Sequence, residues 1–164
     1  MARSGPARDW AISFRPAYEG DYDFLSALHV ASMREHVTRI WGWDAQLQSE
    51  LYRSHFDPVH IQIIIHETMP IGMLSLEERD QDLYLRQIEI LPEFQRAGIG
   101  ARIIDDIIHQ ARRSRKSVSL RVLRHNRARN LYERLGFIVV EETDTHTYMR
   151  TADPDEEGKD SSID

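Results

Sequence analysis

From Ile88 to Gly100 the chain reads Ile-Glu-Ile-Leu-Pro-Glu-Phe-Gln-Arg-Ala-Gly-Ile-Gly, a strand-like run that turns at a proline and reaches a glycine pair. Ile99, Ile103, Ile104, Ile107 and Ile108 then recur at helical spacing as far as about Arg113. A strand feeding a helix through so short a turn leaves several backbone N–H groups at the positive helix end facing one point in space. That geometry suits an anion, and diphosphate is the commonest biological one. Gly98 and Gly100 admit close backbone approach, and Arg96 adds positive charge. The same glycines suit a tight strand-to-helix turn that binds nothing, and the segment alone leaves both readings open. Two phosphate motifs are excluded. No Gly-Lys-Ser/Thr follows, and a dinucleotide fingerprint needs a third glycine and an earlier strand.

The pattern around this segment alternates between the two periods. Ile12 to Arg15 reads as a strand, and Asp21 or Asp23 caps a helix that carries Phe24, Leu25, Leu28, Ala31 and Met33 to about Thr38. Asp44 can cap a second helix through His55, ended by Asp57-Pro58. Strands follow at Val59 to His66, Ile71 to Leu76 and Leu83 to Leu91, the last carrying Arg86, Gln87 and Glu89 inside it. After the isoleucine helix come a strand at Val118 to Leu123 and a helix capped by Asn126 and ended at Gly136. Phe137 to Val140 and Thr145 to Met149 close the body as strands. The order β-α-α-β-β-β-α-β-α-β-β predicts a mixed α/β (α+β) domain with one sheet covered by helices.

A chain of 164 residues, 41% hydrophobic and 29% charged, matches one soluble domain, and at this size roughly 70% of the unfolded chain's surface can be buried. There is no cysteine, which excludes a disulfide framework, a thiolate metal site and any acyl-cysteine intermediate. No run of 18 apolar residues occurs and the first nine residues are polar, so neither a membrane partner nor a signal peptide is expected, and the location expected is cytoplasmic. The net charge of −6 belongs mostly to residues 151–164, with six acids and one lysine; the rest is near neutral and lacks the basic excess of a nucleic-acid binder. Three regions are therefore expected: a flexible start over 1–10, a folded body over 11–150, and an acidic, disordered tail over 151–164.

A second stretch narrows the choice: Asn126-x-Ala128-x-x-Leu131-Tyr132-x-x-x-Gly136-Phe137, about 30 residues after the glycine loop. Together the two segments resemble the GNAT acyl-CoA N-acyltransferase superfamily, which pairs a Gln/Arg-x-x-Gly-x-Gly/Ala loop after its fourth strand with this Asn-to-Phe motif. The match covers Leu83 to Val140. It implies a single GNAT-like domain with a central, mostly antiparallel twisted sheet, about four flanking helices, and a splay after the fourth strand.

The resemblance also implies roles. Gln95, Arg96, Ala97, Gly98, Ile99, Gly100 and Ala101 would wrap the pyrophosphate of acetyl-CoA, mainly with backbone amides. Ile90 and Leu91 would pair through their main chain with the pantetheine arm and aim an N–H at the thioester carbonyl. Asn126 and Asn130 would touch the pantetheine or nucleotide side. Tyr132 stands where many members protonate the departing thiolate. Ala97 stands where a second glycine is frequent, a mild departure.

Elementary chemistry is compatible with these roles. An amine attacking a thioester builds charge on the carbonyl oxygen, which fixed donors stabilise, and expels a thiolate that a phenol can protonate. The amine must first lose its proton, and Glu89 is the candidate base, directly or through a water. The alternatives are a half-buried aromatic for Tyr132 and a salt-bridged strand carboxylate for Glu89. Trp41, Trp43 and Asp44, in the region that covers the substrate side in this superfamily, could form an aromatic wall with an anionic end for a cation, or could be two packing anchors and a helix cap. His36 and His146 are candidates for assisting proton transfer, or incidental histidines. No metal is expected, because His55, Asp57 and His60 have no helical ligand spacing. Arg112, Arg113, Arg115 and Lys116 form a basic helix end that the CoA 3′-phosphate could use.

The expected activity is transfer of an acetyl group from acetyl-CoA to a primary amine of a small molecule, directly in a ternary complex. Protein or peptide N-terminal or lysine acetylation is the alternative acceptor, and a non-catalytic acyl-CoA sensor is the alternative role. Superfamily members are often homodimers, though no segment here announces an interface.

Overall fold

The computed structural model describes residues 10–155. Most of the expected flexible start and of the acidic tail lies outside the described residues. The elements are β1 (Ile12–Pro16), α1 (Tyr22–Trp41), α2 (Ala45–His55), β2 (Ile61–His66), β3 (Met69–Glu78), β4 (Asp82–Ile90), α3 (Ile99–Arg113), β5 (Ser117–Leu123), α4 (Ala128–Arg134), β6 (Ile138–Glu142) and β7 (His146–Arg150). Their order is the one read from the sequence, and local chemistry explains the shifted boundaries. β2 starts at Ile61 because Asp57 accepts a hydrogen bond from the Val59 N–H at 3.0 Å and holds Pro58–His60 in a 3-10 turn. α1 runs past Thr38 to Trp41 and ends where Gly42 takes φ 78°.

One seven-stranded sheet in the order β1-β2-β3-β4-β5-β7-β6 carries the fold. Every neighbouring pair is antiparallel except β4 and β5, which pair in parallel only over Asp82–Leu85 and Ser117–Leu120. Beyond those residues the two strands part, since β4 runs on to Ile90 along β3 while β5 runs on to Leu123 along β7.

Adjacent strand residues point to opposite faces, and two separate cores result. Ile64, Leu74, Leu83, Leu85, Val118 and Leu120 meet the isoleucines of α3, together with Tyr132 and Phe137. Ile63 and Met73 meet Leu25 and Leu28 of α1 on the other face, with Tyr52 and Phe56 packed against them. The stripe Ile99, Ile103, Ile104, Ile107, Ile108 is buried throughout, so helical period alone placed α3 correctly. Arg15 grips the buried Asp21 through two 2.8 Å contacts and thereby fixes the start of α1 against β1.

The register of β3 on β4 jumps at Arg86: Leu76 faces Leu85, but Ser75 faces Gln87. One extra residue on β4 resets the alternation, a β-bulge. Leu83, Leu85, Ile88 and Ile90 therefore all belong to the α3 face, and Gln87 and Glu89 fall on the α1 face.

Where Gly72 pairs with Ile90 the strands approach closely, and an added Cβ would lie 2.3 Å from the Glu89 carbonyl oxygen. Gly72→Ala is expected to destabilise the fold by about 1–3 kcal/mol, because backbone rather than a flexible side chain must give way. Equilibrium denaturant unfolding measures this, and an unchanged midpoint would contradict the packing.

Candidate active site where two strands part

The gap between β4 and β5 exposes main chain. Leu91 donates its N–H to the Ile71 carbonyl at 2.8 Å, so the alternation of an antiparallel ladder turns the N–H and C=O of Ile90 the other way, into the gap. The Ile90 carbonyl accepts from Gln95 Nε2 at 2.7 Å, and its N–H remains directed at the opening. The register distinguishes Ile90 from Leu91: the Leu91 N–H belongs to the sheet, and its side chain packs with the α1 core.

The loop after β4 supplies further donors. Phe94 and Gln95 return their N–H groups to Leu91 and Pro92, at 2.9 and 3.2 Å, and the first bond of α3 runs from the Arg102 N–H to Gly98 at 3.1 Å. Between them the N–H groups of Arg96, Ala97, Gly98, Ile99, Gly100 and Ala101 find no acceptor among the described residues. Positive φ at Arg96 (60°) and Gly98 (86°) curls the chain so that successive amides converge, as in an anion-binding nest. Gly100 is demanded neither by positive φ nor by crowding, since an added Cβ would meet only Ile90 Cδ1 at 3.5 Å. Gln95 spends its side chain on pinning the loop to β4. Trp10 braces the loop from outside, donating its indole N–H to the Ala97 carbonyl at 3.2 Å.

Tyr132 and Glu89 are both buried, at 5% and 4% relative exposure. Tyr132 packs edge-on against Phe137 with ring centroids 5.6 Å apart, and its hydroxyl makes no hydrogen bond among the described residues. Burial penalises the phenolate and pushes its pKa up to about 12, so the proton is present throughout the neutral range. Glu89 Oε1 accepts from His29 Nδ1 at 3.0 Å and from Gln87 Nε2. A carboxylate can only accept, which places a proton on Nδ1 of His29. His29 also stacks on Tyr52, with centroids 4.8 Å apart and planes 26° apart. Burial, and secondarily the Glu89 charge, raise the pKa of Tyr52 and keep it neutral. His29 and Gln87 line a cleft of about 730 Å³ beside α2, with Glu89 behind them.

Sequence reasoning missed His29 and Tyr52. A signal existed for His29: it sits one turn after Leu25 on the stripe of α1 that is otherwise apolar.

The remaining sequence candidates have separate partners. Asn126 is half-buried and accepts the Ala128 N–H at 2.9 Å, capping α4 although the cap position itself is Arg127; Asn130 is exposed. Asp44 accepts the Leu47 N–H at 2.9 Å as the cap of α2. The Trp43 ring lies under the Arg34 guanidinium at 5.8 Å, while Trp41, 58% exposed, reaches His146 with ring centroids 6.2 Å apart. The pKa of His146 is lowered, by burial first and by Arg121 second. His36 lies within α1, and its side chain lies outside what is described. Lys116 is engaged by Glu78 at 2.9 Å. Among the described residues, no group of three or more His, Asp or Glu converges on a metal position, and no helix is long and apolar enough to cross a membrane.

Residues 33–151 match the model of the acetyltransferase (GNAT) domain. No curated protein matches the chain in sequence. Among solved structures, the PaiA N-acetyltransferase of Thermoplasma acidophilum, in complex with coenzyme A, is similar with a TM-score of 0.70 and 16% identity over 86% of this chain and 98% of that one. YjaB of Escherichia coli, in its apo form, gives 0.64 and 17% over 87% and 98%. Naa50 of Arabidopsis thaliana, in complex with the bisubstrate analogue CoA-Ac-MVNAL, gives 0.57 and 12% over 86% and 98%. At these identities the likeness is one of fold.

Proposed function

Because the chain belongs to the acetyltransferase (GNAT) family, we propose that it is a cytoplasmic N-acetyltransferase that moves the acetyl group of acetyl-CoA to a primary amine of a small molecule within a ternary complex. The observation that carries this reading is the run of unengaged amides from Arg96 to Ala101, continuous with the gap into which Ile90 directs its N–H. Those amides suit a pyrophosphate, and Ile90 suits the thioester arm. Asn126 and Asn130 flank the nucleotide or pantetheine side.

The amine nitrogen attacks the carbonyl carbon, the C–N bond forms, and the C–S bond breaks. The N–H of Ile90 stabilises the charge that develops on the carbonyl oxygen. Tyr132 delivers its proton to the departing thiolate. The amine's surplus proton passes to Nε2 of His29, whose imidazolium is held by Glu89 through Nδ1; Glu89 thus works through His29 or a water and not by direct contact. With no cysteine in the chain, transfer without an acyl-enzyme is the consistent route.

Titration of the full chain with acetyl-CoA in a thermal-shift experiment tests the donor site, with ATP and NADH as controls. Ligand at about 100 times its dissociation constant is expected to add roughly 2.7 kcal/mol of stability. No shift at millimolar acetyl-CoA, or a larger shift with ATP, overturns the reading.

A second acceptor class, the N-terminal or lysine amine of a peptide, is favoured by one feature. The 730 Å³ cleft continues into one of about 520 Å³ through Arg79, Tyr84 and Arg121, making an open trough over the sheet. Faster acetylation of peptides than of any small amine would decide for it. A purely sensing role is disfavoured by Tyr132 and the His29–Glu89 pair, which binding alone does not need.

A further inference from the structure

We propose that the acceptor amine carries an anionic group, and that Arg121 on the floor of the cleft binds it. This deepens the acetyltransferase reading and rests on it. α1 and α2 cover the β2–β4 part of their face of the sheet, while Arg121 of β5 and its cross-strand neighbour Tyr148 of β7 line the open trough. Arg121 lines both clefts, and in the larger it shares the lining with His29 and Gln87, the two side chains that hold Glu89.

The charge on this floor is unbalanced. Arg79 and Arg86 share Glu77, at 3.1 and 3.6 Å, and Asp82, which accepts from the Ser119 hydroxyl, also acts on Arg79. Asp57 is occupied as the cap of its turn. Arg121 and Arg150 have no carboxylate at ion-pair distance among the described residues, although both line the trough. A guanidinium with no partner, beside a cleft where a proton must be removed, has two effects. Its planar fork matches a carboxylate or phosphate and forms charge-assisted hydrogen bonds with it. Its charge also disfavours a second ammonium nearby, which penalises polycationic amines and favours the neutral, reactive form of the attacking nitrogen.

The test uses four amines of matched backbone: 4-aminobutyrate, 3-aminopropylphosphonate, butylamine and putrescine. Calorimetric binding to the full chain with coenzyme A present is measured beside thiol release from acetyl-CoA. An anionic amine is expected to bind tighter than butylamine by about tenfold or more, with putrescine weakest. R121Q is expected to lower the anionic-to-neutral ratio about tenfold, and R121K to retain part of it. Whether carboxylate or phosphonate ranks first identifies the anion. Equal binding of butylamine or putrescine, an equal loss for all four amines in R121Q, or no binding of any amine overturns the proposal. Arg121-dependent anion binding without thiol release overturns the acetyltransfer reading alone. An acetyl-CoA shift with no anionic preference overturns the Arg121 inference alone.

Discussion

Replacing Tyr132 by Phe is expected to lower kcat for acetyl transfer by about 100-fold, while acetyl-CoA still produces its thermal shift. The substitution keeps the ring, its edge-on contact with Phe137 and its place in the α3-side core, and removes only the hydroxyl. That hydroxyl has no partner among the described residues, so the fold loses no hydrogen bond with it. A loss of rate without a loss of stability would therefore report the missing proton donor. The pH dependence has a defined sign. Burial raises the Tyr132 pKa to about 12, so its acid form persists as pH rises from 7 to 10 and it contributes no falling limb there. Single-turnover thiol release, run with both forms across that range, makes the measurement. An unchanged rate in Y132F would remove Tyr132 from the chemistry.

Glu89→Gln is expected to cost about 100-fold in kcat, and His29→Ala a similar amount, with the double variant little worse than either. The reason lies in the donors that converge on one oxygen. Glu89 Oε1 receives both His29 Nδ1 and Gln87 Nε2. A glutamine there either turns its own NH₂ against a donor or accepts through oxygen without charge; in both cases the imidazolium formed during proton removal loses its counter-charge. Residues that act as a unit give non-additive losses, whereas two independent structural defects would multiply. Additive effects in the cycle, or a fall in denaturant midpoint that parallels the fall in rate, would make the His29–Glu89 pair structural only.

Features that depend on residues close along the chain were legible in the sequence. The isoleucine stripe of α3, the Asp44 cap of α2, the positive φ of Gly98 and the turn at Gly136 each follow from a period, a short side chain or a missing Cβ. So did the order of the elements and the loop from Gln95 to Ala101, because a strand, a turn and a helix in succession already fix where the free amides are. Pairing across the sheet was not legible. The bulge at Arg86 decides that Gln87 and Glu89 lie on the α1 face and not the α3 face, and it exists only in the register of β4 on β3. That register also separated Ile90, which faces the gap, from Leu91, which does not. His29 meets Glu89 across 60 positions of sequence, and neither residue's neighbours announce the other. Arg121 was one arginine among 19 until the sheet placed it in a trough with no carboxylate of its own. Local propensity is written in a few adjacent residues, but burial, charge balance and the partner of a hydrogen bond belong to whichever distant segment packs there, and only the tertiary structure supplies that segment.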